Sequence, residues 1–296
     1  MASRPPAALA GGLRKLGAIG DAIMVRHTLF SLPFALAAVL IETGGRPPLA
    51  KLAWILLAAA AARNAANALN RVVDREIDAA NPRTAGRHLP AGKLAPRELE
   101  IFAAAMLALL VLAAAMLNWL CVALLPAAGI LVFGYSYTKR FTWLCHWWLG
   151  LTCSAATMGA FLGLAGRFEL RYFVLTAAVA LWVAGFDIVY ALQDVEVDRA
   201  QGLRSFPARF GPRLARLMAA ACHLGTVLLL AAAPLFWRGL GAAYLAGVGA
   251  VAALLAAEHL VAAGGTERHI RIAAYGINEV LPIAFLAFAC LELYLV

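Results

Sequence analysis

At 296 residues, 64% hydrophobic and 14% charged, with a mean hydropathy of +0.81, the chain is far from a soluble domain, which carries roughly 25% charged residues. Repeated apolar stretches of about 20 residues instead specify a polytopic α-helical membrane protein. The net charge of +9 sits in loops between apolar runs, so the positive-inside rule accounts for it and nucleic acid is not needed as a partner.

In chain order, residues 1–27 carry Arg4, Arg14, Lys15 and Arg26 without an apolar core. They are expected to form a cytoplasmic leader rather than a signal peptide, with an amphipathic surface helix between Arg14 and Arg26. A first span is predicted over about Thr28–Ile41, with Pro33 inside it, and Gly44–Pro48 form a turn. The second span begins near Leu49 and keeps helical character through Asp78. Its second half holds Arg63, Asn64, Asn67, Asn70 and Arg71, too many polar groups to face lipid, so they are expected to face a cavity or other helices. Residues 81–90 form a basic loop. Spans three and four, about Ile101–Leu117 and Trp119–Tyr135, make a tight hairpin, and Tyr135–Arg140 close the first half. The fifth span covers about Trp143–Leu164 and the sixth about Phe173–Asp194. A second basic loop runs from Arg199 to Arg216, and spans seven to nine cover about Leu217–Phe236, Gly239–Ala263 and Ile272–Leu295.

With the N-terminus inside, only Arg46, Lys51, Arg167, Arg171 and Arg238 among the loop cations fall outside. Trp119, Trp143, Trp147, Trp148 and Trp237 read mostly as interface-belt residues, His27 as an interfacial hydrogen-bonder and His88 as a loop residue. Asn278 and Glu279 are unexpected polar groups inside the ninth span, and packing is the simpler role for Asn278. The cysteines Cys121, Cys145, Cys153, Cys222 and Cys290 lie in apolar sequence without metal-ligand spacing, and read as small buried hydrophobes.

The chemistry concentrates at two places. Asn70, Asp74 and Asp78 recur at four-residue steps where the second span meets polar sequence, and Tyr190, Asp194 and Asp198 do the same at the end of the sixth. On a helix this spacing aligns each set along one slowly drifting face. Every rung of one ladder lies 120 residues from its counterpart, and the same offset pairs Asn67 with Asp187. Two such ladders in an internally repeated chain are expected to form two walls of one cytoplasmic site. A solvated helix end, its acids balanced by arginines, would explain one ladder but not two in register.

Clustered carboxylates repel one another and attract a hard cation such as Mg²⁺, which often bridges protein carboxylates to substrate phosphates. Arg83, Arg87, Lys139, Arg140 and Arg204 supply cations suited to phosphate oxygens. A charged rim above an apolar interior points to an amphiphile with a diphosphate head, and a metal would stabilise that diphosphate as it leaves.

With D-x-x-Y-A-x-x-D-x-x-x-D at Asp187–Asp198, the Arg87-His88-Leu89-Pro90-Ala91-Gly92 loop and the Tyr135–Arg140 segment, the chain resembles the UbiA superfamily of intramembrane prenyltransferases over nearly its whole length. The resemblance implies one domain over 1–296. Its expected fold is all-α: a polytopic membrane protein with nine transmembrane helices, two four-helix halves plus a ninth helix around a central cavity. It also implies a multi-pass protein of the cell inner membrane, with the N-terminus and the active-site opening cytoplasmic. The implied partners are a polyprenyl diphosphate donor, an aromatic acid acceptor and the lipid bilayer, with Mg²⁺ as cofactor. Carried onto this chain, Asp74, Asp78, Asp194 and Asp198 would hold the metals, and Asp187 and Tyr190 would line the reaction centre, the Tyr190 ring stabilising an allylic cation. Arg63, Asn67, Asn70, Arg83, Arg87, Lys139, Arg140 and Arg204 are the candidate substrate-binding residues. Arg63 matches a basic position of the family; an ion pair between helices is its alternative role. The commonest first motif of the family is N-D-x-x-D-x-x-x-D, and Arg71 stands here in its second position, leaving the first metal site one carboxylate short.

Among acceptors, the branch that prenylates 4-hydroxybenzoate in quinone biosynthesis is the best match. Naphthoate prenylation in futalosine-route menaquinone synthesis is the alternative, and a farnesylating haem-modifying relative a more distant one. An ion-coupled transporter is the rival of another class, and a structural or assembly protein a second. Transporter carboxylates lie near the bilayer midplane, whereas these lie at span ends.

Overall fold

The computed structural model describes residues 15, 17–24 and 28–295, and His27 lies outside them. Among the described residues all regular structure is helical. In chain order the helices are α1 Thr28–Glu42, α2 Leu49–Val73, α3 Arg75–Ala80, α4 Pro96–Leu117, α5 Trp119–Ala123, α6 Leu125–Phe141 and α7 Cys145–Ala165. They continue with α8 Tyr172–Ala191, α9 Val195–Ala200, α10 Phe206–Phe210, α11 Pro212–Ala232, α12 Ala242–Ala262, α13 Glu267–Arg271 and α14 Asn278–Leu295. Among the described residues, seven segments are long and apolar enough to cross a membrane: α2, α4, α7, α8 with α9, α11 with the turn after it, α12, and α13 through α14. The chain is therefore a multi-pass membrane protein. The predicted first and fourth spans are the shorter ones, α1 with 15 residues and α6 with 17.

Local chemistry explains the interruptions. Pro126 brings no N–H to the helix, and the fourth span breaks just before it, at Leu124. Asn118 caps α5 by accepting from the Cys121 N–H, while its own amide donates to the carbonyls of Leu162 and Gly163 near the end of α7. α7 ends at Gly166 in the left-handed conformation, with φ +65°. The ninth span enters through a π-helical turn, Ile272–Ile277, and has Pro282 inside α14.

The ladders are interrupted too, which corrects the expected continuous face. α2 stops at Val73 and α8 at Ala191, and each first carboxylate sits at a break before a six-residue helix. Asp74 has φ −92°, ψ 6° and Asp194 has φ −105°, ψ 7°, both in the sparsely populated bridge region. α3 and α9 are themselves 120 residues apart, so the repeat extends to the kink.

α8 is the hub: 56% of its span is buried, against 22–39% for the other six. It packs on α7 and α11 with close backbone approach. A Cβ at Gly150 would lie 2.2 Å from the Ala180 carbonyl oxygen, and one at Gly185 would lie 2.3 Å from the His223 ring. Small residues at such crossings let membrane helices touch. Phe34 stacks on Phe285 and meets Trp182 at a tilt, each with ring centres 5.0 Å apart, to join α1, α8 and α14.

Several aromatic and polar residues sit deeper than expected. Trp237 is buried and donates to Glu42 at 2.9 Å; Glu42 also accepts from Arg171 at 2.8 Å and from the Tyr172 hydroxyl at 3.0 Å. Trp143 and Trp147 pack with Phe206 in an aromatic cluster, whereas Trp119 is exposed. Residues 17–22 are helical, but Ile19, Ala22 and Ile23 are buried against Ala68, Leu99 and Ala103. That segment docks on α2 and α4 instead of lying apart on the membrane surface. Only Cys222 of the five free cysteines is fully buried.

Candidate active site

The two helix breaks face one cavity of about 340 Å³. On the first wall, the Asn70 amide donates to Asp74 at 2.8 Å and to the Ser136 hydroxyl at 3.3 Å. Lys139 pairs with the same oxygen of this buried carboxylate, Oδ2, at 2.8 Å, and Arg140 with Oδ1 at 3.4 Å. Asp78, also buried, receives both its short contacts from Arg87, at 2.7 and 2.8 Å, with Arg71 at 3.7 Å.

On the second wall, Arg83 reaches across from the loop behind α3. It grips Asp194 with two hydrogen bonds, 2.6 and 3.1 Å, and donates to the Tyr190 hydroxyl at 2.6 Å. Its guanidinium carbon also lies 5.1 Å from the centre of the Tyr190 ring. Burial disfavours the Arg83 charge, yet the hydrogen bond to Asp194 and the field of Tyr190 outweigh it and hold its pKa above the ordinary arginine value. Asn81 adds a 3.0 Å hydrogen bond to Asp194, and the Ser205 hydroxyl donates to Asp198. Deeper on α8, Asp187 meets His146 of α7 at 2.6 Å.

Arg63, Asn67 and Tyr135 line this cavity and also a second, apolar one of about 560 Å³ bounded by α2, α4, α5, α6, α7 and α8. The buried Nε of Arg63 has no hydrogen-bond partner. A charged chamber and a greasy one thus adjoin, with an arginine between them.

The match to the UbiA prenyltransferase family covers residues 31–288. The chain belongs to this family. A 4-hydroxybenzoate octaprenyltransferase of Aeromonas salmonicida is 34% identical over 229 residues, 77% of this chain and 78% of that one. One from Xanthomonas euvesicatoria is 33% identical over 232 residues, 76% and 74% of the two chains. The structure of a UbiA homologue from Aeropyrum pernix matches with a TM-score of 0.82 and 32% identity, covering 89% of this chain and 97% of that one. A UbiA homologue from Archaeoglobus fulgidus, solved with DMAPP and Mg²⁺, shares the fold at 20% identity and a TM-score of 0.65, covering 94% and 99%.

Within this UbiA fold, twelve of the fourteen candidate residues line the charged cavity; Arg140 and Arg204 are the exceptions. Arg140 holds the Val73 carbonyl at 2.8 Å behind Asp74. Arg204 donates to the Phe141 carbonyl at 3.0 Å, and its backbone N–H donates to the Lys139 carbonyl, so it ties α6 to the second basic loop. Among the described residues no three metal-ligating side chains converge. Each wall offers two carboxylates, and oxygen donors in that number suit Mg²⁺, which needs only one or two carboxylates beside substrate phosphates. Sequence reasoning missed Asn81, Ser205 and His146. A lone histidine near the start of an apolar span was the available signal for His146. Asn278 both packs and lines the cavity, accepting from the Trp182 indole at 2.6 Å.

Proposed function

We propose that the protein transfers a polyprenyl group from a prenyl diphosphate to an aromatic acid of the 4-hydroxybenzoate type in quinone biosynthesis. It works at the cytoplasmic face of the cell inner membrane, and α1 and the kinked α5–α6 pair supply two further crossings to make nine. One observation carries this reading: the charged cavity adjoins an apolar cavity through shared residues, as an amphiphile with a diphosphate head requires. The carboxylates stand at helix breaks beside basic loops, which supports an enzyme over an ion-coupled transporter.

Asp74, Asp78, Asp194 and Asp198 would hold Mg²⁺, which supplies charge neutralisation for the leaving diphosphate. Lys139, Arg83 and Arg87, now paired with those acids, are placed to turn towards phosphate oxygens. Arg63, with its unpartnered N–H at the junction, is placed for the acceptor carboxylate. The Tyr190 ring already receives one cation, the Arg83 guanidinium, and offers a π surface to an allylic cation.

The test is an assay in sealed vesicles with Mg²⁺ and a long-chain prenyl diphosphate, offering 4-hydroxybenzoate and 1,4-dihydroxy-6-naphthoate in parallel. Prenylated 4-hydroxybenzoate is expected, formed by inside-out vesicles and not by right-side-out ones. Asp74→Ala and Asp194→Ala should each lower turnover at least about 100-fold while the protein stays in the membrane. Naphthoate as the sole acceptor would overturn the acceptor assignment, and full activity in both variants the metal assignment.

A further inference from the structure

Resting on that transfer reaction, we propose that Asp187 removes the proton from the prenylated ring carbon, and that His146 is the positioning residue that holds Asp187 for this step. The hydrogen bonds of His146 decide its role. The backbone N–H of Phe206 donates to its Nε2 at 3.1 Å, so Nε2 is an acceptor and carries no proton. The ring proton then sits on Nδ1 and is donated to Asp187 Oδ2 at 2.6 Å. His146 is 3% exposed, and its tautomer is fixed from both sides in the way a positioned imidazole requires.

Asp187 differs from the ion-paired ladder acids. Asp74, Asp78 and Asp194 are ion-paired to lysine or arginine, whereas Asp187 is held by an imidazole. A neutral donor orients a carboxylate without cancelling its charge. Asp187 also lies seven residues before Asp194, about 10 Å along the helix axis, and so deeper in the span than the ladder acids. Its side chain lines the charged cavity.

The allylic C–O bond breaks and its electron pair leaves on the diphosphate. A ring π pair forms the new C–C bond, giving a cationic ring with both a hydrogen and the prenyl group on one carbon. That C–H bond breaks, its electrons restore the aromatic ring, and the proton goes to Asp187 Oδ1, the oxygen His146 does not engage. His146 keeps its Nδ1 proton throughout, and Asp187 later releases its proton to water.

The experiment compares turnover of ring-protonated and ring-deuterated 4-hydroxybenzoate by the full-length enzyme in vesicles. With the wild type, the expected result is little deuterium effect, because loss of the ring proton follows ionisation of the donor and C–C bond formation. Asp187→Asn should lower kcat by about 10²–10⁴-fold and expose a primary isotope effect. His146→Phe should lower kcat by about 10–100-fold, with KM for prenyl diphosphate little changed and the isotope effect again visible. His146→Asn, which keeps a donor where Nδ1 stood, should recover part of that loss, and it carries the positioning test if the Phe variant fails to fold. A purely structural role would reduce folded enzyme, read as a lower Tm, and leave the isotope effect at its wild-type value. That outcome, or Asp187→Asn turning over at the wild-type rate, overturns the proposal. A wild type that prenylates no aromatic acid would instead overturn the transfer reading itself.

Discussion

Arg83 belongs to the first half of the chain but does its work in the second. Its planar fork reaches both Asp194 oxygens and the Tyr190 hydroxyl together, which the single nitrogen of a lysine cannot do. Position 203, its counterpart in the repeat, is a leucine, so the bridge runs one way only. We expect Arg83→Lys to lower kcat/KM for prenyl diphosphate by about 10–100-fold, the equivalent of one or two charge-assisted hydrogen bonds, in steady-state assays at saturating Mg²⁺. The residue types of this site were legible in the sequence because carboxylates and arginines are rare in apolar helices and so stand out. Their partners were not. Nothing local to Arg83 points to Asp194, 111 residues away, and nothing local to Arg204 points to the Phe141 carbonyl that its guanidinium holds.

Among the elements, helix existence followed from apolar run length, and several predicted boundaries fall within a residue or two of the observed ends, as at Thr28 and Leu49. The breaks at Asp74 and Asp194 were hidden, because four-residue spacing reads as uninterrupted helix and neither site carries proline or glycine. The same bridge-region backbone recurs at both breaks, and its recurrence in both halves ties it to the site. The crossing of α7 on α8 gives a separate test. Gly150→Ala places a methyl against the Ala180 carbonyl, so the helices must part. A loss of about 1–3 kcal/mol is expected, measured as a lower Tm in detergent. Gly159→Ala on the same helix, where a Cβ would meet nothing within 4 Å, should cause no such loss.

At the scale of the molecule, the 120-residue offset foretold that two distant segments would meet, and they do. An apolar interior beneath the rim was expected, but the residues that wall the chamber were not legible, since they come from six helices and are mostly alanines and leucines. The cavity has one further consequence. Asp74, Asp78, Asp187, Asp194 and Asp198 line it together with Arg63, Arg71, Arg83, Arg87 and Lys139, so formal charges cancel. A lone diphosphate, or a lone dication, meets no net attraction and must break an internal ion pair to bind. When both arrive, each satisfies the partners that the other releases. Binding is then synergistic, and by linkage the synergy is reciprocal: Mg²⁺ tightens an unreactive prenyl thiodiphosphate by the same factor that the analogue tightens Mg²⁺. Calorimetric titration at several Mg²⁺ concentrations should show this, and an affinity independent of Mg²⁺ would contradict it. Among competing phosphate, pyrophosphate and nucleotides, such a site screens its visitors by stoichiometry of charge before it reads the shape of their tails.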